Sequence, residues 1–405
     1  MRKIYPFLIA FALTTPAFIL KFPHIQAAAP LAALLCGLAI LGASFLLTWA
    51  CDVAQKDIPQ ALAIALVAFI AVLPEYAVDM YFTWMAGQQP ESDYRHFAIA
   101  NMTGANRLLI GLGWSTIAIL HAFRAHRAVE MGQDKKLDLF FLLLATVFAL
   151  SIPFRKSLTF VDGLIFLGLY VVYVLLILRK PPAGEEPEGA AAFLARLPRK
   201  QRISITAVLF IFSGFVILLN AEPFSENLVA SGRVLGINEF LLVQWLAPIA
   251  SEAPEFIIAI MFVLRGNASL ALDSLVSSKL NQWTLLVGMI PGVYALSFGA
   301  LSPPIQLDAH QFSEIFLTAA QSLFAISLLV SMRLSAWDGL WLALLFLAQL
   351  SSPLYDKWLE AALGWQPDSL RLHNYFGWFY IILACTIFAW RWRQLGSFFR
   401  FYRKD

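Results

Sequence analysis

Hydrophobic positions in this chain form long uncharged runs that recur from one end to the other. Runs of this length predict membrane-crossing helices, since a spanning helix needs about 20 mostly apolar residues. The short alternating segments that are typical of a membrane β-barrel do not occur. The pattern predicts about twelve helices, near 5–20, 28–50, 59–85, 97–121, 137–152, 160–178, 203–220, 237–264, 270–299, 310–332, 336–352 and 374–394.

The composition also indicates an all-α polytopic membrane protein. Of the 405 residues, 60% are hydrophobic and only 14% are charged, whereas soluble domains average about 25% charged residues. Cys36, Cys51 and Cys385 lack CxxC spacing and indicate neither a disulfide framework nor a zinc site. There is no P-loop, GxSxG or HExxH sequence. We therefore predict that the chain is not an enzyme and needs no cofactor.

The placement of basic residues predicts the orientation. With a cytoplasmic amino terminus, most of the 29 Lys and Arg residues fall in cytoplasmic loops, a central linker or the carboxyl-terminal tail. This imbalance follows the positive-inside rule for an even number of helices. We expect a protein of the cell (inner) membrane with both termini cytoplasmic. The first span could instead be a cleaved signal peptide, but we favour a retained helix because the next span follows directly.

One clear break in composition occurs at 181–189, which is rich in Pro, Gly and Glu. It predicts a flexible cytoplasmic connector between two transmembrane halves. We expect the basic tail to contact anionic lipid and not nucleic acid. The predicted organisation is an additional helix at 1–27, a first half at 28–180, a linker at 181–202, a second half at 203–352, and a further helix with the tail at 353–405.

Two acidic proline motifs lie in the middle of long apolar runs. The first is Leu-Pro-Glu at 73–75, with Asp79 one helical turn further on, and the second is Glu-Ala-Pro-Glu at 252–255. A carboxylate at this depth costs several kcal/mol even on lenient scales, so it seldom occurs without a cation or a functional partner. We therefore expect both motifs to be functional.

The prolines add a second feature to each motif. A proline in a helix leaves the carbonyl four residues earlier without its donor, which for Pro74 and Pro254 means the carbonyls of Ile70 and Ala250. A carboxylate and a loosened carbonyl at one depth are oxygen ligands that suit a hard cation. The occurrence of this arrangement twice indicates a transporter.

The segments after the motifs also correspond to each other. Gly87 precedes a segment with small polar residues at 97–106, and Gly266 precedes a similar segment at 270–279. In the predicted orientation the two motif helices run in opposite directions. The repeats are therefore predicted to be inverted, as in secondary transporters with a midplane site between the halves.

A helix of the LPE type paired with a helix of the GNxxGSN type, twice and inverted, resembles the sodium/calcium exchanger (cation/Ca2+ antiporter) superfamily. Residues 73–75 and 100–106 carry the resemblance in the first repeat, and residues 254–255 and 273–279 carry it in the second. The resemblance implies two five-helix halves joined by a cytoplasmic loop, here with one additional helix at each end.

The resemblance also implies the cation site. Glu75 and Glu255 match the two central cation-binding glutamates of the family and are the expected metal ligands. Asn101 matches a side-chain oxygen ligand, and Ser274 occupies the equivalent place, with Asp273 as the alternative one residue earlier. Residues expected to support the site or to compensate its charge are Asp79, Glu252, Arg107, Lys279, Asn106, Ser251, Thr103 and Ser278.

Some residues of this chain differ from the family pattern at positions expected to bind sodium. Ala71 and Val72 replace hydroxyl residues, and Lys279 replaces an asparagine, which removes sodium ligands and adds positive charge. Arg107 and Lys279 could neutralise two of the four motif carboxylates, or Lys279 could take the place of a monovalent cation. In the alternative interpretation the two bases pair permanently with Asp79 and Glu252 as interhelical ties.

The sequence therefore predicts a secondary antiporter that exchanges an inorganic cation, with Ca2+ favoured, for Na+ or H+ at a midplane carboxylate site. The alternative is a non-transporting membrane scaffold or sensor that retains the exchanger fold. An intramembrane enzyme is a third hypothesis, but it lacks an evident nucleophile and base. The six histidines lie near span ends or in loops, where we expect interfacial or solvated side chains.

Overall fold

The structure is a computed structural model that describes residues 5–21, 27–57, 73–178, 189–300, 303–352, 355 and 369–398. The helices of the amino-terminal part are α1 Tyr5–Lys21, α2 Ala29–Ala54, α3 Leu73–Gln88, α4 Tyr94–Leu108, α5 Ser115–Ala125, α6 Lys136–Ala149, α7 Ser151–Arg155, α8 Phe160–Ile177 and α9 Ala191–Ala195. They are followed by α10 Arg199–Leu235, α11 Glu239–Leu264, α12 Ala268–Asn281, α13 Val287–Phe298, α14 Ala309–Leu329, α15 Ala336–Leu350, α16 Ser369–Trp390 and α17 Trp392–Phe398.

The predicted helical membrane class is confirmed. Eight helical segments of the described residues are long and apolar enough to cross a membrane, and Tyr5–Pro16 and Ala336–Leu350 are shorter apolar helices. The strands within the described ranges are two antiparallel pairs of two residues each. Val129–Glu130 (β1) pairs with Arg333–Leu334 (β4), and Ser157–Leu158 (β2) pairs with Ile305–Gln306 (β3).

The chain divides into two compact units. The first comprises residues 1–101 and 174–254, and the second comprises residues 102–173 and 255–405. Each unit therefore draws residues from both of the predicted transmembrane halves. The boundaries between the units fall inside α4, α8 and α11.

In the first unit, α2 packs along α10, with α1 against α2 and α3 against α10. Small residues of α2 such as Ala39 and Ala43 are fully buried against Val216 of α10, and Ala77 of α3 belongs to the same buried cluster. Small side chains let helix backbones approach closely, which favours helix packing in a membrane. This packing fixes α3, and with it the first acidic motif, against α10.

Helix α10 is much longer than the predicted span at 203–220, so that prediction was wrong at its carboxyl end. The helix runs over 37 residues to Leu235. Its polar residues do not break it, because the amides of Asn220 and Asn227 donate to the carbonyls of Val216 and Pro223 four residues earlier, at 2.7 Å in each case. It ends at Gly236, whose φ of 66° is left-handed and favours glycine.

In the second unit, α14 is almost completely buried and packs against α16, α6 and α7. A π-helical turn, Leu109–Trp114, continues α4 and packs against α15. The contact is close at Gly111, where a Cβ atom would lie 2.1 Å from Cγ of Phe346. The absence of a side chain at Gly111 therefore allows this helix crossing.

Candidate functional site

The first acidic motif forms a buried polar stripe along α3. Glu75, Asp79 and Thr83 follow each other at intervals of four residues, so their side chains lie on one face of the helix. Their exposed fractions are 1%, 0% and 1%. The sequence analysis placed Glu75 and Asp79 at the site but missed Thr83, although its spacing from Glu75 was a signal for it.

Asn101 of α4 contacts this stripe within the first unit. Its amide nitrogen donates a hydrogen bond of 2.6 Å to Oδ1 of Asp79. Three buried oxygens here, Oδ2 of Asp79, Oδ1 of Asn101 and Oγ1 of Thr83, accept no hydrogen bond from a described residue. A buried group with more acceptor oxygens than donors is costly and is suited to a proton or a hard cation.

The second acidic motif lies on α11, which continues as one helix through Pro254. Oε2 of Glu255 accepts a hydrogen bond of 2.6 Å from the hydroxyl of Ser278 on α12. Ser278 was expected only to support the site. In the second unit it is the hydroxyl that contacts the motif glutamate.

The two residues expected as ligands on α12 lie elsewhere. Ser274, one turn before Ser278, is exposed and its hydroxyl makes no hydrogen bond with a described residue. Asp273 is buried, and its Oδ2 lies 3.4 Å from the hydroxyl of Ser269 and against Gly132. At about 100° per residue, Asp273 is turned away from the helix face that Ser278 occupies. Ser274 lies on the same face as Ser278, one turn nearer the start of the helix, where it is exposed.

A second carboxylate contacts α12 from α6. Asp138, which is almost fully buried, accepts a hydrogen bond of 2.6 Å from the hydroxyl of Ser277. Lys135 lies 3.5 Å from the same carboxylate oxygen and donates to Ser277 at 3.2 Å. The sequence analysis did not select Asp138, because it lies at the start of a span and outside both motifs.

Lys279 is held by a residue from the other repeat. Its ammonium donates to the carbonyl and to the side-chain oxygen of Asn106, at 3.0 and 2.8 Å, and lies 4.6 Å from the ring centre of Trp283. Both Lys279 and Asn106 are fully buried. The comparison of the repeats had made Asn106 and Lys279 equivalent positions, and the structure brings these equivalents into contact.

The two repeats share a further local feature. A second π-helical turn, Gln282–Leu286, continues α12. It begins eight residues after Ser274, just as Leu109–Trp114 begins eight residues after the equivalent Asn101. Single π-helical turns inside helices frequently occur at functional sites.

Arg107 has a carboxylate partner that the sequence analysis missed. Within the second unit its guanidinium pairs with Oε2 of Glu314 on α14, whereas the analysis had offered Asp79 and Glu252 as partners for the buried bases. Oε1 of Glu314 lies 2.8 Å from Nδ1 of His373, and Nε2 of His373 lies 3.0 Å from the hydroxyl of Ser352. The four side chains form one buried chain of polar contacts.

This network corrects the interpretation of the histidines. His373 is only 9% exposed and lies inside the second unit, so the expectation of an interfacial or solvated side chain is wrong for this residue. Glu314 was detectable in principle, since it is a lone acidic residue in an apolar span, and an intramembrane charge indicates function or pairing.

The remaining supporting residues are buried. The hydroxyl of Ser251 lies 3.3 Å from the carbonyls of Ala247 and Pro248 in its own helix, which is typical of a packing group. Glu252 and Thr103 are fully buried. Ile70, Ala71 and Val72 lie outside the described residues, so the loosened carbonyl of the first motif stays a prediction.

The arrangement of the possible metal ligands limits how a transported cation could be coordinated. Within the described ranges, no three His, Cys, Asp or Glu side chains are arranged to hold a metal ion. Calcium takes 6–8 oxygen ligands and accepts amides, carbonyls and hydroxyls as well as carboxylates. Neutral oxygens such as that of Asn101 would therefore have to complete the coordination of a transported cation.

Beyond the apolar segments, Asp57 after α2 is bound by Arg202 at the start of α10. The guanidinium donates two hydrogen bonds to the carboxylate, at 2.6 and 2.7 Å. These hydrogen bonds hold the pKa of Asp57 below its usual range. Arg202 also donates to the carbonyls of Ala195 and Leu197, so it ties α9 to α2 and α10.

Long apolar helices with buried carboxylates, amides and hydroxyls on facing helices define a multi-pass membrane protein built for ions. The particular family follows from comparison with known proteins. The model of the sodium/calcium exchanger protein family matches residues 28–179 and 205–353, which is most of the chain. This protein belongs to that family, whose characterised members are ion exchangers.

Solved structures agree with this assignment. The H+/Ca2+ exchanger CAX is 40% identical, with a TM-score of 0.89 over 99% of this chain and 97% of that chain. The native structure of YfkE is 15% identical, with a TM-score of 0.62 over 84% of this chain and 97% of that chain. A structure of the sodium-calcium exchanger NCX_Mj is 17% identical, with a TM-score of 0.55 over 80% of this chain and 99% of that chain. The last two share the fold.

Proposed function

We propose that this protein is a secondary antiporter that exchanges Ca2+ for H+ across the cell (inner) membrane. In this proposal about twelve spans form two inverted repeats with both termini in the cytoplasm, as the positive-inside rule and the duplicated motifs predict. Glu75 and Glu255, the glutamates of the two motifs, bind the cation near the middle of the membrane. Asn101, Asp79 and Ser278 support them.

The observation that carries the proposal is a pair of buried carboxylates, Asp79 and Glu255, that have no cationic partner among the described residues. Among the described residues, Asp79 receives a hydrogen bond only from the amide of Asn101, and Glu255 only from the hydroxyl of Ser278. A buried carboxylate with neutral donors alone is costly as an anion. It is therefore stable when it holds either a proton or a metal cation, which is the alternation that H+/Ca2+ exchange requires.

Two further observations favour protons over sodium as the driving ion. Ala71 and Val72 replace hydroxyl residues of the family pattern, which removes oxygen ligands for sodium. The similar structure named an H+/Ca2+ exchanger covers almost the whole chain at 40% identity. Sodium coupling would have to be achieved without those hydroxyls.

The test is calcium uptake by purified protein in proteoliposomes, with gradients of H+, Na+ and K+ imposed one at a time. We expect an outward proton gradient to drive uptake of labelled Ca2+, and Na+ or K+ gradients alone to have no effect. Uptake that follows the Na+ gradient and ignores pH would contradict the choice of ion. Folded protein without any flux would favour the scaffold or sensor alternative.

A further inference from the structure

A groove in the first unit lies among α1, α9 and α10. Its volume is about 390 Å³, and its lining is apolar apart from the hydroxyl of Ser204. Phe7 of α1, Leu194 of α9 and Leu209 of α10 are buried at its base, with exposed fractions of 8%, 5% and 4%. A concave apolar site of this size is comparable with small-molecule sites, which measure about 300–1,000 Å³.

The groove lies where α10 changes from basic to apolar. The helix begins with Arg199 and Lys200, and from Ile203 onward its sequence is that of a candidate span. Ser204 and Val208 line the groove. Lys200 precedes Ser204 by four residues, so it lies on the same face of the helix, about 6 Å nearer its start.

Lys200 is suited to bind an anion at this end of the groove. It is exposed and makes no ion pair with a described residue, and the same holds for Arg196 after α9. The helix start adds a favourable field for negative charge. Basic positions beside an apolar cleft between helices are typical of sites for anionic lipid head groups.

From this juxtaposition we infer that the groove is a binding site for one anionic glycerophospholipid. One acyl chain occupies the apolar groove between α1, α9 and α10, and the phosphate lies at Lys200 and Arg196. Ordinary annular lipid covers any exposed apolar helix, such as Ile211 with 73% of its side chain exposed. The groove differs because three helices form its walls and a basic residue, Lys200, lies one helical turn before its lining residue Ser204.

The experiment uses native mass spectrometry of the full chain, purified in detergent and exposed to phosphatidylglycerol or phosphatidylcholine. The wild-type protein should retain one phosphatidylglycerol. Val208→Trp, which fills the groove, should abolish retention, whereas Ile211→Trp, on the same helix outside the groove, should not. Lys200→Gln should weaken retention about fivefold, as expected for one basic residue beside an anionic lipid, and Lys136→Gln, at the start of α6, should leave it unchanged.

Three results would overturn the inference. The first is equal lipid retention by Val208→Trp and Ile211→Trp, and the second is equal retention of phosphatidylcholine and phosphatidylglycerol by the wild-type protein. The third is a dimer that Val208→Trp dissociates, because it would assign the groove to a second copy of the chain. Melting temperatures of all four variants in detergent show whether each is folded. None of these measurements involves transport, so the outcome is independent of the proposed exchange activity.

Discussion

Two carboxylates of the second unit have opposite surroundings. Glu314 is paired with the guanidinium of Arg107 and also contacts His373. Glu255 accepts a hydrogen bond from the neutral hydroxyl of Ser278 and makes no ion pair with a described residue. A buried carboxylate that already has a cationic partner is stabilised as an anion, whereas one with neutral donors needs a proton or a metal cation.

The difference assigns the two glutamates to different tasks. The Arg107–Glu314 pair resembles a permanent tie, which holds the helix after Asn101 against α14. Glu255 remains available for an exchanged ion. Intramembrane charge alone therefore does not identify a transport site, and the charge of the neighbouring groups has to be known as well.

The largest expected effect is on transport. Glu255→Gln removes the negative charge but keeps the shape and the contact with Ser278, so we expect calcium flux in proteoliposomes to be abolished while the protein stays folded. Glu75→Gln should behave in the same way. Glu239→Gln is the matched control, because Glu239 lies on the same helix in a half-exposed pair with Arg233, and it should leave flux unchanged. Normal flux in Glu255→Gln would remove Glu255 from the site.

Glu314→Gln should act on stability first. It leaves the guanidinium of Arg107 buried without its described carboxylate partner, and breaking a buried pair in this way costs about 3–5 kcal/mol. We expect a large loss of thermal stability in detergent. The double variant Glu314→Gln with Arg107→Met should recover much of it, because neither charge then remains. If the double variant is as unstable as the single one, the pair is not the tie described here.

A smaller effect is expected from the hydroxyl groups of α12. Ser278→Ala removes the donor that orients Glu255, and we expect calcium affinity to fall by about tenfold to a hundredfold, since a hydrogen bond to a charged group contributes about 1.5–3 kcal/mol. Ser274→Ala, one turn earlier on the same helix, should have no effect because Ser274 is exposed and makes no such bond. Equal losses in the two variants would restore Ser274 as a ligand.

The smallest effect tests pairing outside the apolar segments. The hydrogen bonds from Arg202 lower the pKa of Asp57 in the folded state. The pair therefore stabilises the folded protein at pH values above the ordinary aspartate pKa of about 3.9. This stabilisation is lost as the pH falls through the lower pKa of the folded state. Asp57→Asn should cost up to about 1 kcal/mol at neutral pH, and the difference from wild type should shrink as the pH falls below the ordinary aspartate pKa of about 3.9 and vanish only below the folded pKa. Asp93→Asn, at an exposed aspartate, is the control for loss of one carboxylate charge. A difference that persists in acid would contradict the pairing.

The helical membrane class and both motifs could be recognised from the sequence because these depend on local order along the chain. Apolar runs define helices wherever they occur, and a glutamate beside a proline in such a run is recognisable without any partner. The carboxyl end of α10 was missed because hydropathy falls at Asn220 and Asn227, whereas helix geometry lets each amide bond to the carbonyl four residues earlier.

Contacts between distant parts of the chain could not be predicted in the same way. Arg107 and Glu314 are 207 residues apart, and no periodic pattern relates them. Ser274 and Ser278 lie one turn apart on the same face of α12, so the sequence does not distinguish them. Only the packing of α11 against α12 decides which serine contacts Glu255. His373 resembled an interfacial residue because it lies near the end of its helix, and its burial depends on Glu314 and Ser352.

The most direct test of the account is whether calcium binding expels protons from the protein. Calorimetric titration of purified protein with Ca2+ at neutral pH, in buffers of different ionisation enthalpy, measures this exchange. We predict net proton release, and less of it in Glu255→Gln, because carboxylates must lose their protons to bind the metal. Calcium binding without proton release in the wild-type protein would contradict the claim that these carboxylates alternate between protons and Ca2+.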